Sequence, residues 1–226
     1  MVDGVSVPIL RSYQQKYFLT GEEEKKNILQ QLGVSLRDIA KNKKVFFFLL
    51  AFFFYIDGVY TIIDMSTAYG SALGLGSTDM LLALLVTQFV AFPFAILFGK
   101  LSQKGMSEKL IMIAIAAYTG IAIFAYFMSA SWQFWVLAIF VGMFQGGIQA
   151  LSRSYFAKII PAERSGEFFG FYDICGKGAS VIGTTLMGLV SQMTGSVNNG
   201  VGVIAVFFVI GLILFVVSTR QETANN

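Results

Sequence analysis

The stretch KVFFFLLAFFFYIDGVYTIIDMS (Lys44–Ser66) decides the fold of this chain, because it is a long and mostly apolar run. An α-helix rises about 1.5 Å per residue, so about 20 apolar residues cross the roughly 30 Å hydrocarbon core of a bilayer. Two acids, Asp57 and Asp64, interrupt the run. The stretch therefore predicts a membrane-spanning helix that carries charge.

Five further apolar runs of similar length follow in the sequence. Hydrophobic residues make up 56% of the 226 residues and charged residues only 13%, whereas a soluble domain carries about 25% charged residues. The runs predict an all-α membrane protein with six transmembrane helices. We place these spans at Lys44–Ser66, Met80–Leu101, Leu110–Met128, Trp132–Tyr155, Phe168–Val190 and Gly200–Ser218.

The residue types that are missing exclude several functions. Histidine is absent and Cys175 is the single cysteine, so an intramolecular disulfide is impossible. A catalytic zinc site, a haem site and a histidine-based catalytic triad are not expected either. Lys and Arg flank the apolar runs instead of forming one basic block, which is not typical of nucleic-acid binding. We therefore expect no cofactor, no metal, no nucleic-acid partner and no enzymatic activity.

The positions of Lys and Arg predict the orientation in the membrane. Basic residues precede the first span, follow the sixth, and occupy the connections between spans two and three and between spans four and five. The alternate connections contain no Lys or Arg. Because basic residues accumulate on the cytoplasmic side, both termini are expected in the cytoplasm. The expected location is the plasma (inner) membrane of a bacterium.

The chain divides into three predicted regions: a cytoplasmic N-terminal segment (1–43), the transmembrane domain (44–218) and a short cytoplasmic tail (219–226). Apolar residues recur at helical spacing over Glu22–Lys44 and predict an amphipathic helix. This helix has two interpretations, a solvated cytoplasmic helix or a helix on the inner leaflet of the bilayer.

The six spans also form a coarse repeat. Spans one to three cover residues 44–128, and spans four to six cover residues 132–218. Three spans reverse the chain's direction across the membrane, so the two units would be 3+3 inverted repeats, as in many secondary transporters.

Polar residues of the first span share one helix face. They are Asp57, Tyr60, Thr61 and Asp64, at positions i, i+3, i+4 and i+7. Asp57 is expected about 18 Å into the span, near the bilayer midplane. Asp57 is either a cavity residue that binds a cation, a substrate amine or a proton, or a buried carboxylate with a structural partner.

The fourth span carries a second polar face. Its members are Gln145, Gln149, Ser152 and Arg153, beside a ridge of Gly142, Gly146 and Ala150. We interpret the ridge as helix packing. The two glutamines either face a cavity with the first-span stripe or form hydrogen bonds between helices.

The fifth span contains three charges, Glu167, Asp173 and Lys177. Asp173 and Lys177 are spaced i, i+4 and are expected to pair inside the membrane. Glu167 is expected at the rim near Arg153. These four residues would form a charge network, which either stabilises one conformation or exchanges partners between two.

Three segments resemble a known family. The run GMFQGGIQALSRSYFAKIIPAERSGEFFGFYDICGKGAS (Gly142–Ser180) resembles the signature of the major-facilitator branch related to fungal autophagy-linked vacuolar effluxers. The runs YIDGVYTII (Tyr55–Ile63) and TQFVAFPFAILFGKLSQK (Thr87–Lys104) resemble the seventh and eighth helices of that family. The resemblance covers about residues 40–218.

The resemblance implies helices seven to twelve of a twelve-helix transporter. In that fold, the first helix of each three-helix unit lines the central cavity. It implies export of a small solute, amino acids in the fungal members, by alternating access. One departure is Gln103, which replaces an acidic residue of the family's loop pattern; a charge latch at this loop is therefore not expected.

The expected function is thus solute transport, with Asp57, Tyr60, Thr61, Gln145 and Gln149 binding the solute. The expected partners are the lipid bilayer, a small solute with proton coupling, and a missing N-terminal six-helix half, without which the chain is expected to be inactive. Two alternatives stay open, a homodimeric half-transporter and a non-transporting membrane scaffold or receptor.

Overall fold

The structure is a computed structural model that describes residues 36–223. Residues 36–41 are helical. Residues 22–35 of the predicted amphipathic helix lie outside the described residues.

Long α-helices account for nearly all of the described chain. Inside a helix the backbone N–H and C=O groups bond to each other, which is the requirement for crossing a bilayer without closing a barrel. The helices are α1 (Lys43–Ala72), α2 (Ser77–Leu101), α3 (Ser107–Tyr126), α4 (Ser131–Ile159), α5 (Ser165–Thr194) and α6 (Val197–Thr223).

Within the described residues, five continuous helices are long and apolar enough to cross a membrane. One of them, Ser77–Tyr126, is 50 residues long and contains both α2 and α3. The two are separate helices joined across a kink at Ser102–Met106, in which Gly105 adopts a left-handed backbone with φ 79°. Only glycine adopts this backbone conformation without strain.

Each predicted span falls on one of these helices. The largest extensions are at the ends of α1 and α6, which continue to Ala72 and Thr223. Polar residues such as Ser71 and Thr219 occupy the extra turns. Hydropathy therefore located the helices but ended α1, α4, α5 and α6 too early, because a helix continues beyond the apolar core of a bilayer into its polar boundary.

The core of the fold surrounds α1, which packs against α4, α5 and α6. Glycines bring α1 and α6 close together: a Cβ atom on Gly58 would meet the ring of Phe208, and one on Gly211 would meet Tyr55. Close backbone approach at small residues replaces the hydrophobic effect as the source of helix association in lipid.

The helix α2 is the least enclosed of the six. It packs on α4 through one stripe, with Ala83, Thr87, Ala91 and Phe98 buried. Large apolar side chains such as Phe89 and Phe92 are exposed on its other faces. Gly142 and Gly146 of the predicted packing ridge lie against α2, where Cβ atoms would meet the Thr87 carbonyl and the Ala95 Cβ.

Candidate functional site: a charged cleft between three helices

A cleft of about 490 Å³ opens between α1, α4 and α5. This volume lies within the range of about 300–1,000 Å³ that is usual for small-molecule sites. Apolar and small residues form one part of its wall, namely Phe52, Ile56, Gly146, Ala150, Tyr172 and Gly176. Polar and charged residues form the other part, namely Tyr60, Gln149, Arg153, Asp173 and Lys177.

Arg153 and Asp173 form the ion pair of the cleft. Arg153 Nη1 lies 3.7 Å from Asp173 Oδ1, and the side chains are 61% and 47% exposed. The Arg153 guanidinium also lies 5.3 Å from the ring centroid of Phe169. An ion pair this long and this exposed contributes little to stability, so both charges remain free to bind another group.

The predicted pairing of Asp173 with Lys177 was wrong. Asp173 pairs across the helix interface with Arg153 on α4, and Lys177 lines the cleft as an exposed side chain. An i, i+4 spacing places Asp173 and Lys177 on one helix face. The long Arg153 side chain, however, extends from the neighbouring helix α4 and brings its guanidinium to the Asp173 carboxylate.

The predicted pairing of Glu167 with Arg153 was also wrong. Glu167 lies at the start of α5 and accepts hydrogen bonds from Arg164, with the Arg164 Nη2 to Glu167 Oε2 distance at 2.8 Å. Arg164 immediately precedes α5, so the two residues form a local i, i+3 pair. Glu167 is therefore separate from the Arg153–Asp173 pair.

The first-span stripe divides between two environments. Tyr60 faces the cleft with Gln149 of α4, whereas Asp57 and Thr61 are fully buried against α5. Asp64 is exposed. A helix face of four residues is wider than the cleft, so residues on its two edges meet different neighbours.

Gln145 lies apart from Gln149. It borders a cavity of about 50 Å³ between α1, α2 and α4, whose other lining residues include Ser66, Thr87 and Gln88. The two glutamines are one helical turn apart, yet they line different spaces.

Asp57 is held by the backbone of α5. Gly183 N donates a hydrogen bond of 3.0 Å to Asp57 Oδ1. A Cβ atom at Gly183 would meet both Asp57 Oδ1 and Thr61 Oγ1, so these two oxygens lie side by side against the glycine. The absence of a side chain at residue 183 makes this contact possible.

Gly183 and Tyr172 were not predicted as part of a site. Tyr172 stacks on Phe52 with ring centroids 4.0 Å apart and borders the cleft. Both residues belong to one buried stripe of α5, which comprises Phe168, Tyr172, Gly176, Ala179, Gly183 and Met187. The spacing of four, four, three, four and four residues in that stripe is the sequence signal that identifies the buried face.

The turn around Gly105 is connected to α4 by hydroxyl groups. Tyr155 Oη donates to Glu108 Oε1 at 2.8 Å, and Lys158 Nζ donates to Ser107 Oγ at 3.3 Å. Ser107 Oγ and Ser102 Oγ are 2.8 Å apart across the turn. Gln103, the departure from the family loop pattern, takes no part in these bonds.

The cleft has the chemistry of a binding site for a small polar molecule. It presents two cations and one anion within a partly apolar wall, an arrangement that can hold opposite charges of one ligand. Together with the long apolar helices, these features define an integral, multi-pass membrane protein with a charged cleft among its helices.

Comparison with known proteins assigns the family. A family model described as "Vacuole effluxer Atg22 like" matches residues 5–226. The chain belongs to this family, the Atg22-related branch of the major facilitator superfamily, which is a family of transporters and not of enzymes.

Individual relatives agree with this assignment. The chain is 44% identical over 222 residues to the uncharacterized MFS-type transporter YxiO of Bacillus subtilis, covering 98% of the chain and 52% of the relative. It is 27% identical over 230 residues to Autophagy-related protein 22 of Saccharomyces cerevisiae, covering 88% of the chain and 42% of that protein. The chain spans about half the length of the curated relatives it matches.

Proposed function

We propose that the chain forms a six-helix half of a major-facilitator transporter and that the cleft between α1, α4 and α5 is part of its solute path. The observation that carries the proposal is that polar side chains from three helices meet in this one space. They are Tyr60, Gln149, Arg153, Asp173 and Lys177. Alternating access would expose this cleft to one side of the membrane at a time.

Six spans follow if the 50-residue helix crosses the membrane twice. A straight helix of that length would extend about 75 Å, far more than the roughly 30 Å of a bilayer core. The left-handed Gly105 between α2 and α3 supplies the point of reversal.

The packing supports a 3+3 inverted repeat. The first helix of each unit packs on the second helix of the other, α1 on α5 and α4 on α2. The third helices, α3 and α6, pack on each other. Such an exchange of equivalent partners is what a pseudo-two-fold axis between the two units would produce.

The distribution of Lys and Arg supports a cytoplasmic location for both ends of the bundle. Region 1–43 and the tail 219–226 would then both lie in the cytoplasm. Similarity to the Bacillus subtilis transporter favours a bacterial plasma membrane.

A second six-helix bundle would complete the transporter. The helices α2 and α5 expose large apolar side chains, including Phe89 and Phe92 on α2 and Ile174 and Leu186 on α5. The curated relatives are about twice as long as the chain. We therefore expect the second bundle to come from an N-terminal half, with a second copy of this chain as the alternative tested below.

The proposed solute is a small zwitterion such as an amino acid, moved out of the cytoplasm. Arg153 and Lys177 provide positive charge for a carboxylate, and Asp173 provides negative charge for an ammonium group. The description of the family as vacuole effluxers names efflux from the vacuole, so it supports efflux as the class of activity. The mobile ion that we propose to drive it is the proton.

Binding can be measured without transport. The detergent-solubilised chain would be titrated with neutral, acidic and basic amino acids, and the rise in melting temperature would report affinity. We expect Arg153→Gln and Asp173→Asn each to weaken binding by about tenfold or more, because each removes a charge-assisted bond of about 1.5–3 kcal/mol.

Glu163→Gln is the matched control, since it removes an exposed charge between α4 and α5 outside the cleft. The melting temperature without solute should be nearly equal in all variants, because the Arg153–Asp173 pair is exposed. Equal binding by the cleft variants and the control would refute the assignment of the cleft.

Transport requires a reconstitution experiment. Vesicles containing the chain alone should show no solute flux, and vesicles that also contain the N-terminal half of the Bacillus subtilis relative should show it. Flux by the chain alone as a cross-linkable dimer would favour the homodimer. Unchanged biological function in variants that abolish solute binding would favour a scaffold or receptor.

A further inference from the structure

Two buried oxygens on α1 make no hydrogen bond. Across residues 36–221, buried side-chain N and O atoms without a hydrogen-bond partner are Asp57 Oδ2, Thr61 Oγ1 and the hydroxyl oxygen of Tyr118. Asp57 and Thr61 are both completely buried and lie one helical turn apart. Because buried polar groups are normally paired, two neighbouring exceptions in one site require an explanation.

The surroundings of Asp57 form a shaped site. Gly183 N donates to Asp57 Oδ1, and the glycine leaves the space that Asp57 Oδ1 and Thr61 Oγ1 occupy. One carboxylate oxygen is thereby fixed on the backbone of α5. The other carboxylate oxygen, Oδ2, remains available to a ligand.

No cation of the described chain compensates Asp57. On the helices around it, Arg153 of α4 and Asp173 and Lys177 of α5 line the cleft, and none lies within ion-pair distance of Asp57. Asp64, on α1 itself, is exposed, and α6 carries no charged residue before Arg220. A carboxylate buried without a charged partner costs several kcal/mol unless it takes up a proton.

A proton fits this site better than a metal ion. Calcium takes about 6–8 oxygen ligands, whereas this site offers one carboxylate and one hydroxyl. Among the described residues, no group of three or more His, Cys, Asp or Glu side chains could hold a metal. A proton on Asp57 Oδ2 neutralises the buried carboxylate, and Thr61 Oγ1 lies beside the other carboxylate oxygen, Oδ1, against Gly183.

The site lies between two spaces. On one side Ile56 and Tyr60, the neighbours of Asp57 and Thr61 in sequence, line the 490 Å³ cleft. On the other side Thr61 borders a cavity of about 30 Å³ that extends to Ser66 and Tyr69. A water molecule needs about 10–15 Å³ by this measure, so water has room to approach from the second side.

We propose that Asp57 and Thr61 form a proton-binding site, distinct from the solute cleft, that is occupied near neutral pH and exchanges its proton with water. Gly183 is the residue that positions the carboxylate. The role of this proton in driving export rests on the proposed function, whereas its binding does not. The test therefore measures the proton itself, in the absence of solute.

The measurement is infrared spectroscopy of the full 226-residue chain reconstituted in lipid vesicles. A protonated carboxylic acid has a C=O stretching band that a carboxylate lacks. We expect such a band near neutral pH, its complete loss in Asp57→Asn, and its progressive loss as the pH is raised. In Thr61→Val the band should shift in frequency, because the polar neighbour of the carboxyl group is gone and the carboxyl group remains.

Controls separate the outcomes. Asp64→Asn should leave the band unchanged. If Asp57→Asn fails to fold, isotopic labelling of aspartate shows that the band comes from an aspartic acid. A frequency shift in Thr61→Val then assigns the band to Asp57. Absence of the band near neutral pH overturns the proposal, as does a band that persists at strongly alkaline pH. Loss of the band when sodium replaces choline would make this a sodium site and also overturns it. Solute binding is measured in a separate experiment, so a failure of the proton-site proposal can be distinguished from a failure of the proposal that the cleft binds solute.

Discussion

The α1–α5 contact and the α2–α4 contact both depend on a glycine, but they differ in how their polar side chains are hydrogen-bonded. In each, a glycine lets a neighbouring helix approach closely, Gly183 at the first contact and Gly142 at the second. At the α2–α4 contact, the Thr87 hydroxyl is paired with the carbonyl of Ala83 at 2.9 Å and lies 3.2 Å from that of Ala138. At the α1–α5 contact, oxygens of Asp57 and Thr61 are unpaired.

This difference fits a packing role for the α2–α4 contact and the proposed proton site at the α1–α5 contact. The α2–α4 contact satisfies its polar groups, which is what a contact that only holds two helices together requires. The α1–α5 contact buries the Asp57 carboxyl group with one oxygen lacking a hydrogen bond. This arrangement costs free energy of folding, and such groups are found mainly where they have a function. Under the proposed inverted repeat the two contacts occupy equivalent positions, so one fold position would carry two different roles.

The largest expected effect comes from Gly183→Ala. The new methyl group would collide with Asp57 Oδ1 and Thr61 Oγ1 and would break the bond from Gly183 N. We expect the free energy of unfolding to fall by about 2–5 kcal/mol, combining overpacking with a lost buried bond. Thermal unfolding of the detergent-solubilised protein measures it.

Gly178→Ala and Gly188→Ala are the matched controls for that substitution. They lie on the same helix, and a Cβ atom there would meet nothing within 4 Å. Each should be neutral or stabilising by up to about 1 kcal/mol, because alanine favours a helix. If the Gly183→Ala protein has the same melting temperature as these controls, the close contact at Gly183 is wrong.

Gly142→Ala tests the other contact and should have a smaller effect. Its methyl group would lie 2.6 Å from the Thr87 carbonyl oxygen, so α2 and α4 must separate slightly. We expect a loss of about 1–3 kcal/mol in the free energy of unfolding. The same thermal measurement applies, with Gly120→Ala on α3 as an open-space control. The infrared band of Asp57 should not change, and a change would mean that the two contacts are coupled.

The smallest expected effect is that of Thr87→Val. The substitution keeps the shape of the side chain and removes hydroxyl bonds to α2 and α4. The free energy of unfolding should fall by about 0.5–1.5 kcal/mol, the net value of an ordinary hydrogen bond. Thr61→Val should cost less, since Thr61 Oγ1 has no bond to lose. The reverse order in a melting experiment would contradict the distinction between the paired and the unpaired contact.

Much of the helical architecture could be predicted from the sequence. Each apolar run matched a helix, because the thickness of a bilayer sets the length of an uninterrupted apolar segment. The kink between α2 and α3, with Gly105 in a left-handed backbone, was not predicted, since hydropathy reports the polarity of a connection and not its backbone geometry.

The sequence predicted part of the lining of the candidate cleft. Tyr60, Gln149, Arg153, Asp173 and Lys177 were chosen from the sequence and meet in one cleft. Gln145 and Glu167 were chosen on the same grounds and lie elsewhere, because helical spacing defines a face but not the rotation of that face toward its neighbours.

The sequence by itself determined which segments can enter a bilayer and which charges they must carry with them. Tertiary structure decided the partners of those charges: Asp173 took Arg153 from another helix, and Asp57 turned away from the cleft onto Gly183. The physical reason is that burial in lipid depends on the composition of one segment, whereas the bonds of a buried charge depend on the rotation and separation of two helices.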